Sequence, residues 1–149
     1  MENKIWFVTG ISSGLGRALA ETLMTHDIFV IGTFRRKEEV NEFNEKHNGK
    51  GFAVHLELDQ KMEMDTIIAR VVERFGHIDV LVNNAGYGFA GAIEEASMEE
   101  VRAVFEVNFF GVMQLTKAVL PHMRLRGEGH IIQISSHGGS EGFCRFWGV

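Results

Sequence analysis

The sequence predicts an α/β fold in which a doubly wound parallel sheet is covered by helices on both faces. Short apolar runs of strand length alternate along the chain with segments whose apolar residues recur at helical spacing. Such alternation is typical of strand–helix–strand units, whose parallel strands are joined by right-handed crossovers. Because the chain has 149 residues, we expect a single domain over residues 1–149.

Five apolar runs predict the strands. In chain order they are Ile5–Thr9, Ile28–Thr33, Gly51–Leu58, Val80–Asn83 and Ile131–Ser135. The helical segments between them begin near Leu15, Lys37, Met64 and Met98. The third helix is the best defined, since Ile68, Val71 and Phe75 share one stripe at helical spacing. The fourth is expected to extend to about Arg126, and Pro121 to kink or end it.

The long fourth helix carries an asparagine on its apolar stripe. Asn108 lies four residues after Val104 and four before Val112, and Leu115 and Val119 continue the same stripe. A buried amide needs hydrogen-bond partners, so Asn108 is expected to be buried and bonded. A bond to a neighbouring main chain and a place in a functional site both remain open.

Composition argues against several classes of function. The net charge of −5 gives no reason to expect nucleic acid or an anionic membrane as a partner. Cys144 is the single cysteine, so no internal disulfide is expected, and no run of 18 apolar residues occurs. The seven histidines show no metal-ligand spacing, so no metal site is expected. We expect a cytoplasmic protein without a membrane segment.

A glycine-rich stretch, TGISSGLG over Thr9–Gly16, joins the first strand to the first helix. Glycine allows a positive φ and a close approach of the backbone to a ligand, and a helix N-terminus attracts phosphate. The residues after Gly16 do not form the Gly-Lys-Ser/Thr end of a P-loop. A dinucleotide-binding loop and a tight turn without a ligand are the two interpretations.

The stretch resembles the TGxxxGxG motif of the short-chain dehydrogenase/reductase family, and Asn-Asn-Ala-Gly after the fourth strand resembles that family's second motif. The resemblance continues through VNFFGV to IIQISS. It implies a Rossmann-type fold and hydride transfer between a nicotinamide and a small-molecule carbonyl or alcohol substrate. The cofactor-binding residues that it implies are Thr9, Gly10, Ser12, Ser13, Gly14, Leu15, Gly16, Asn83, Asn84, Ala85 and Gly86.

The end of the second strand favours NADP over NAD. Thr33 and Phe34 occupy the place where an acidic residue would bind the ribose of NAD, and Arg35 and Arg36 follow. Arginine pairs well with a 2′-phosphate, although the two residues would also suit the start of a solvated helix. In the family an aspartate after the third strand contacts the adenine. Asp59 takes that position here, and it would equally serve as a helix N-cap.

The family resemblance also assigns catalytic roles. Asn108 would hold a water of the proton relay, and Ser136 would hydrogen-bond the substrate oxygen. The family's proton donor is a tyrosine about a dozen residues after this serine, with a lysine four positions further on. Tyr87 is the single tyrosine here, and no lysine follows Lys117. We therefore expect a domain that is incomplete at its C-terminal end, truncated after about five strands, and a chain that is catalytically incompetent as given.

Two hypotheses follow from this expectation. The first is an NADP-dependent oxidoreductase represented by its amino-terminal part, or by a reading frame broken near Gly142. The second is a short, non-catalytic protein that binds a dinucleotide or a partner. In either case the fifth strand would be an exposed edge, and the VNFFGV face of the long helix would lack cover. Self-association through the long helix is expected, and the substrate stays open.

Overall fold

The computed structural model describes residues 4–60, 64–92 and 94–135. Within them one parallel sheet has the strand order β3-β2-β1-β4-β5, which confirms the predicted doubly wound α/β fold. The elements are β1 (Ile5–Val8), α1 (Gly14–Thr25), β2 (Phe29–Phe34), α2 (Lys37–Lys46), β3 (Gly51–His55), α3 (Met64–Phe75), β4 (Val80–Asn83), α4 (Met98–Phe105), a π-helical segment (Glu106–Gly111), α5 (Val112–Arg126) and β5 (His130–Gln133).

The strands agree with the prediction in number and order and differ at their ends. β3 ends at His55 instead of Leu58, because its partner β2 ends at Phe34, which pairs with His55. Leu56 still donates its N–H to the Phe34 carbonyl at 3.0 Å, and the chain then turns away from the sheet. β4 covers the predicted residues, and β5 begins and ends slightly earlier than predicted.

The central strands are buried on both faces, as in parallel sheets covered by helices. Alternate residues of β1 show this, since Phe7 packs with one core cluster and Val8 with the other. The first cluster joins the sheet to α3 and α5 through residues such as Ile68 and Leu115. The second joins it to α1 and α2. Both cores therefore meet on the same four-residue strand.

The segment Met98–Arg126 is helical throughout but is not one regular α-helix. A capping box between Ser97 and Glu100 begins α4, and a π-helical segment separates α4 from α5. Pro121 lies inside α5, which continues to Arg126, so of the two predicted effects of Pro121, a kink or an end, the end is wrong. Gly127, at φ +77°, ends it in the left-handed conformation that favours glycine.

The same segment passes a simple test for a membrane span. Its 29 residues are long enough to cross a bilayer, and an 18-residue stretch within it has a mean hydropathy of 1.3. A helix that covers a sheet passes this test as well, and Leu115, Val119 and Met123 are buried in the core beside α3 and the sheet.

The two edges of the sheet differ. At the β3 edge the side chain of Asn44 in α2 pairs with the main chain of Ala53, donating to its carbonyl at 3.3 Å and accepting from its N–H at 2.7 Å. At the other edge, β5 pairs only with β4 among the described residues, and all four of its residues are exposed.

A carboxylate fastens the sheet at the end opposite the glycine loop. Asp79 accepts hydrogen bonds from the Ile5 N–H at 2.7 Å and from Arg126 Nη1 at 2.9 Å, and His77 Nε2 lies 3.1 Å away. Burial favours a higher pKa for Asp79, but the hydrogen bonds from Ile5 and Arg126 and the charge of His77 together hold its pKa below the ordinary value. Asp79 thereby joins the starts of β1 and β4 to the last turn of α5.

Candidate cofactor site

The glycine loop is shaped by close backbone contacts. Gly10 has φ +70°, and its N–H donates to Thr33 Oγ1 at 3.0 Å. A Cβ atom on Gly10 would lie 2.9 Å from the Cβ of Ala85. A Cβ atom on Gly16 would lie 2.3 Å from both Asn84 Nδ2 and the carbonyl oxygen of Gly10. Any side chain at Gly10 or Gly16 would therefore displace the neighbouring loop.

Thr9 and Asn84 join the glycine loop to the loop after β4. The buried Thr9 hydroxyl accepts from the N–H groups of Asn84 and Ala85, each at 2.9 Å, and donates to the Val82 carbonyl at 3.3 Å. In return, Asn84 Nδ2 donates to the carbonyl of Thr9 at 2.9 Å and to that of Gly10 at 3.2 Å. The two sequence motifs thus form one hydrogen-bonded unit.

The N-terminus of α1 opens beside this unit. Ser13 is its N-cap residue, yet no side chain caps the first turn, which also contains no acidic residue. Gly14 begins the helix with φ +58°. Uncapped N–H groups and the positive end of the helix dipole suit an anion such as a pyrophosphate.

A cleft of about 450 Å³ lies at the carboxyl ends of the strands, where open α/β sheets bind ligands. Ten of the predicted cofactor-binding residues line it: Gly10, Ser12, Ser13, Leu15, Gly16, Arg35, Asp59, Asn84, Ala85 and Gly86. Seven residues that were not predicted also line it: Thr33, Phe34, Leu56, Glu57, Leu58, Tyr87 and Val107. One wall of the cleft is formed by the backbone of the glycine loop, another carries the cation Arg35, and another carries the acids Glu57 and Asp59. These chemically different walls suit the chemically different parts of a dinucleotide.

The two arginines after β2 have different surroundings. Arg35 lines the cleft, whereas Arg36 is not among the lining residues and forms a salt bridge with Glu39 of α2. The hydrogen bond from Arg36 to Glu39 raises the pKa of that guanidinium. Arg36 is therefore the N-cap residue of the solvated helix α2, in line with the alternative considered from the sequence, and Arg35 alone of the pair lines the cleft.

The acid expected to contact adenine also lies at the cleft. Asp59 is exposed and lines it. Asp59 lies in a turn and Gln60 after it is not helical, so Asp59 does not directly precede a helix, and the N-cap alternative is wrong. Within the described ranges no group of three or more histidine, cysteine, aspartate or glutamate side chains could hold a metal ion.

Asn83 does not line the cleft. Its side chain is 2% exposed and donates from Nδ2 to Thr116 Oγ1 of α5 at 3.1 Å, while its buried Oδ1 has no hydrogen-bond partner among the described residues. As the last residue of β4 it is turned toward α5, whereas Asn84 leaves the strand and reaches Thr9. The structure therefore gives the two asparagines of the motif different surroundings.

Asn108 is exposed, so the prediction that its amide is buried on the apolar stripe is wrong. Its Nδ2 donates to the Tyr87 carbonyl at 2.6 Å, and its Oδ1 accepts from the Tyr87 N–H at 3.1 Å. This is the main-chain bond considered as one alternative from the sequence. Asn108 lies in the π-helical segment, beside Gly86 at the edge of the cleft. Ser136 lies outside the described residues.

Two side chains near the cleft were missed by the motif analysis. Thr33 is buried and accepts from the Gly10 N–H, so it holds the glycine loop from the end of β2. Glu57 lines the cleft two residues before Asp59. The available signal was the position of both at strand ends, since the carboxyl ends of parallel strands meet at one side of the sheet.

Comparison with known proteins shows which family and which relatives this chain resembles. The family described as short chain dehydrogenase matches residues 4–147. The oxidoreductase BOA17 of Botryotinia fuckeliana is 40% identical over 140 residues, which cover 93% of this chain and 51% of that protein. The 3-ketodihydrosphingosine reductase of Bacteroides thetaiotaomicron is 38% identical over 142 residues, covering 95% and 50%. The chain spans about half the length of the curated relatives it matches.

Solved structures agree with this result. A short-chain dehydrogenase from Streptomyces avermitilis is 42% identical, with a TM-score of 0.92 over 98% of this chain and 54% of that one. A variant of actinorhodin polyketide ketoreductase, solved with NADPH, is 33% identical, with a TM-score of 0.88 over 97% of this chain and 57% of that one.

Proposed function

This chain belongs to the short chain dehydrogenase family. We propose that its function is that of an NADP-dependent oxidoreductase, which transfers hydride between the nicotinamide and a carbonyl or alcohol substrate. Its matched relatives include an oxidoreductase and a 3-ketodihydrosphingosine reductase, and structural neighbours include a polyketide ketoreductase and a serine dehydrogenase. These names differ in substrate, so they support the reaction class and leave the substrate itself open.

The observation that carries the proposal is the cleft itself. Close contacts at Gly10 and Gly16 leave no room for side chains, and the uncapped N-terminus of α1 opens beside them. We assign the pyrophosphate to this helix end, the adenine side to Asp59, and the remainder of the cofactor to the loop Asn84–Gly86. When bound, the nicotinamide supplies or accepts the hydride.

The preference for NADP rests on Arg35. It is a cation on the wall of the cleft, and no acidic residue stands at the end of β2, where Thr33 is buried against the glycine loop. A ribose 2′-phosphate would find a guanidinium there, whereas the hydroxyl of NAD would find no carboxylate at that strand end. The structure of the related ketoreductase with NADPH and that of a serine dehydrogenase with NADP+ are compatible with this preference.

We propose further that these 149 residues bind the cofactor without turning over substrate by themselves. Hydride transfer to a carbonyl needs a proton donor for the developing oxyanion. Tyr87 is the single tyrosine, its main chain is bonded to Asn108, and no lysine lies four residues after it. The second candidate function, a non-catalytic dinucleotide-binding or partner-binding protein, is favoured by this same observation.

The experiment titrates the purified chain with NADPH and with NADH by fluorescence, and then follows NADPH oxidation with a panel of ketones and aldehydes. We expect tighter binding of NADPH and no turnover. Equal affinity for the two nucleotides would contradict the NADP preference. Turnover would contradict the proposed incompetence and would exclude the non-catalytic alternative.

A further inference from the structure

His55, the last residue of β3, reaches from that strand to both walls of the cleft. Its Nε2 lies 2.9 Å from the main-chain carbonyl oxygen of Arg35 and 3.4 Å from Oε1 of Glu57. A carbonyl oxygen only accepts hydrogen bonds, so Nε2 must carry the proton in this contact. The imidazole N–H thus donates to the main chain of Arg35, on the cationic wall, and lies close to the carboxylate of Glu57, on the acidic wall.

The contact between His55 and Arg35 lies just beyond the end of the paired strands β2 and β3. Phe34 and His55 form the last register pair of β2 and β3, and α2 begins only at Lys37. Arg35 therefore lies between two regular elements. The His55 side chain continues the bridge from β3 by one residue, because it binds the carbonyl directly after the last paired residue of β2.

Charges of both signs surround the contact between His55 and Arg35. Arg35, Glu57 and Asp59 all line the cleft, so a phosphate dianion that approaches the guanidinium also approaches two carboxylates. The side chains of His55 and Glu57 are 25% and 34% exposed, so their contact is only partly screened by water. Glu57 Oε2 accepts a hydrogen bond from Gln60 Nε2 at 3.2 Å, and the His55 N–H 3.4 Å from Oε1 lessens the repulsion that this carboxylate exerts on the phosphate.

We propose that His55 is a positioning residue for recognition of a nucleotide 2′-phosphate: it fixes the main chain of Arg35 and lies beside the carboxylate of Glu57. This inference rests on the proposed NADP preference. His55 itself need not touch the ligand. It acts through Arg35, and its removal should weaken binding of a 2′-phosphorylated nucleotide while leaving a nucleotide without that phosphate almost unaffected.

The test measures the dissociation constants of 2′,5′-ADP and 5′-AMP, which differ by the 2′-phosphate alone, by calorimetry on the full chain. We expect His55→Leu to weaken binding of 2′,5′-ADP by roughly fivefold to tenfold, the effect of about one lost hydrogen bond to a site residue. Binding of 5′-AMP should change by less than about twofold on the same scale. His55→Gln should largely restore the preference, since its amide can donate to the Arg35 carbonyl.

Two further variants separate positioning from general destabilisation. His26→Leu removes a histidine at the far end of α1 and should leave both dissociation constants unchanged. Glu57→Gln should strengthen binding of 2′,5′-ADP, because it removes a repulsive charge. An equal loss for both nucleotides in His55→Leu, or no loss for either, would overturn the role of His55. A wild-type chain that binds both nucleotides equally would instead overturn the proposed NADP preference on which it rests.

Discussion

At the scale of single residues, the neighbouring arginines Arg35 and Arg36 share their chemistry and differ in their surroundings. Arg35→Ala should weaken NADPH binding by roughly tenfold to a hundredfold, the loss expected for a charge-assisted hydrogen bond to phosphate. NADH binding should hardly change, and fluorescence titration with both nucleotides measures the difference. Arg36→Ala is the matched control, since Glu39 already engages that guanidinium. Equal effects of the two substitutions would contradict the assignment to Arg35.

A second prediction concerns the close approach at Gly16. Gly16→Ala places a methyl group against Asn84 and Gly10, and overpacking of this kind costs roughly 1–3 kcal/mol. The thermal midpoint should fall and NADPH binding should be lost. Gly88→Ala is the matched control, because a Cβ atom there meets nothing within 4 Å. A Gly16→Ala chain that keeps its midpoint and its affinity would show that the two loops can separate without cost.

The sequence located the cleft more reliably than it assigned individual side chains to it. Glycine and asparagine motifs reflect backbone requirements, so they identified the loops that meet there. The separate surroundings of Asn83 and Asn84 depend on their partners, Thr116 of α5 and the main chain of Thr9, which a motif does not encode. The position of Arg36 depends on a side-chain pairing with Glu39, and such a choice of partner is not visible in composition or periodicity.

At the scale of elements, apolar runs and helical spacing predicted the five strands and four helical segments of the described residues, but the prediction of one regular helix failed within the fourth segment. A regular helical spacing placed Asn108 on the buried stripe between Val104 and Val112. The π-helical segment has wider turns, with bonds from i to i+5, which break this spacing, and α4 before it has no buried residue, so no buried stripe reaches Asn108. The tight contact of Gly111 with Leu58, where a Cβ atom would lie 2.3 Å from the Leu58 carbonyl oxygen, lies at the end of that segment. A contact of this kind between two distant segments cannot be predicted from the spacing of apolar residues in the sequence.

The joint at Asp79 predicts a pH dependence of stability. Its folded-state pKa is held below the unfolded value, so the carboxylate stabilises the fold above about pH 4, and this contribution is lost as pH falls through the folded pKa. Asp79→Asn should reduce the free energy of unfolding by about 2 kcal/mol at neutral pH. Urea unfolding of both chains from pH 7 to pH 3 should show the difference shrinking with acid. A difference that stays constant over this range would contradict the electrostatic cause.

The Asn44 side chain offers a test of edge pairing. Asn44→Ala removes two hydrogen bonds to Ala53 and leaves a strand N–H and carbonyl without that partner, which should cost about 1–3 kcal/mol of unfolding free energy. Asn41→Ala makes the same substitution at an exposed position of the same helix. It should be neutral or slightly stabilising, because alanine favours helix. Denaturant unfolding compares the two, and equal effects would show that the Ala53 pairing adds nothing.

At the scale of the whole molecule, uncovered apolar surface predicts self-association. Phe105, Phe109 and Met113 are 47%, 55% and 44% exposed along one helical segment, and β5 is an exposed edge. Sedimentation should show species heavier than the 16.7 kDa chain. Phe109→Glu should reduce association, whereas Leu125→Glu, at an exposed residue near the end of α5, should not. A monodisperse monomer in the wild type would contradict this prediction.

The contrast between the two sheet edges limits how such association can proceed. Growth into a filament requires two free edges on every subunit, so that each added copy offers a new site. Here Asn44 occupies the outer side of β3, which leaves β5 as the one open edge of the described sheet. Two copies joined antiparallel through β5 would form a continuous ten-stranded sheet, twice the five strands of one chain, with an amide-capped strand at each end. We expect pairing through this route to close after a single step and to give a dimer instead of a fibre.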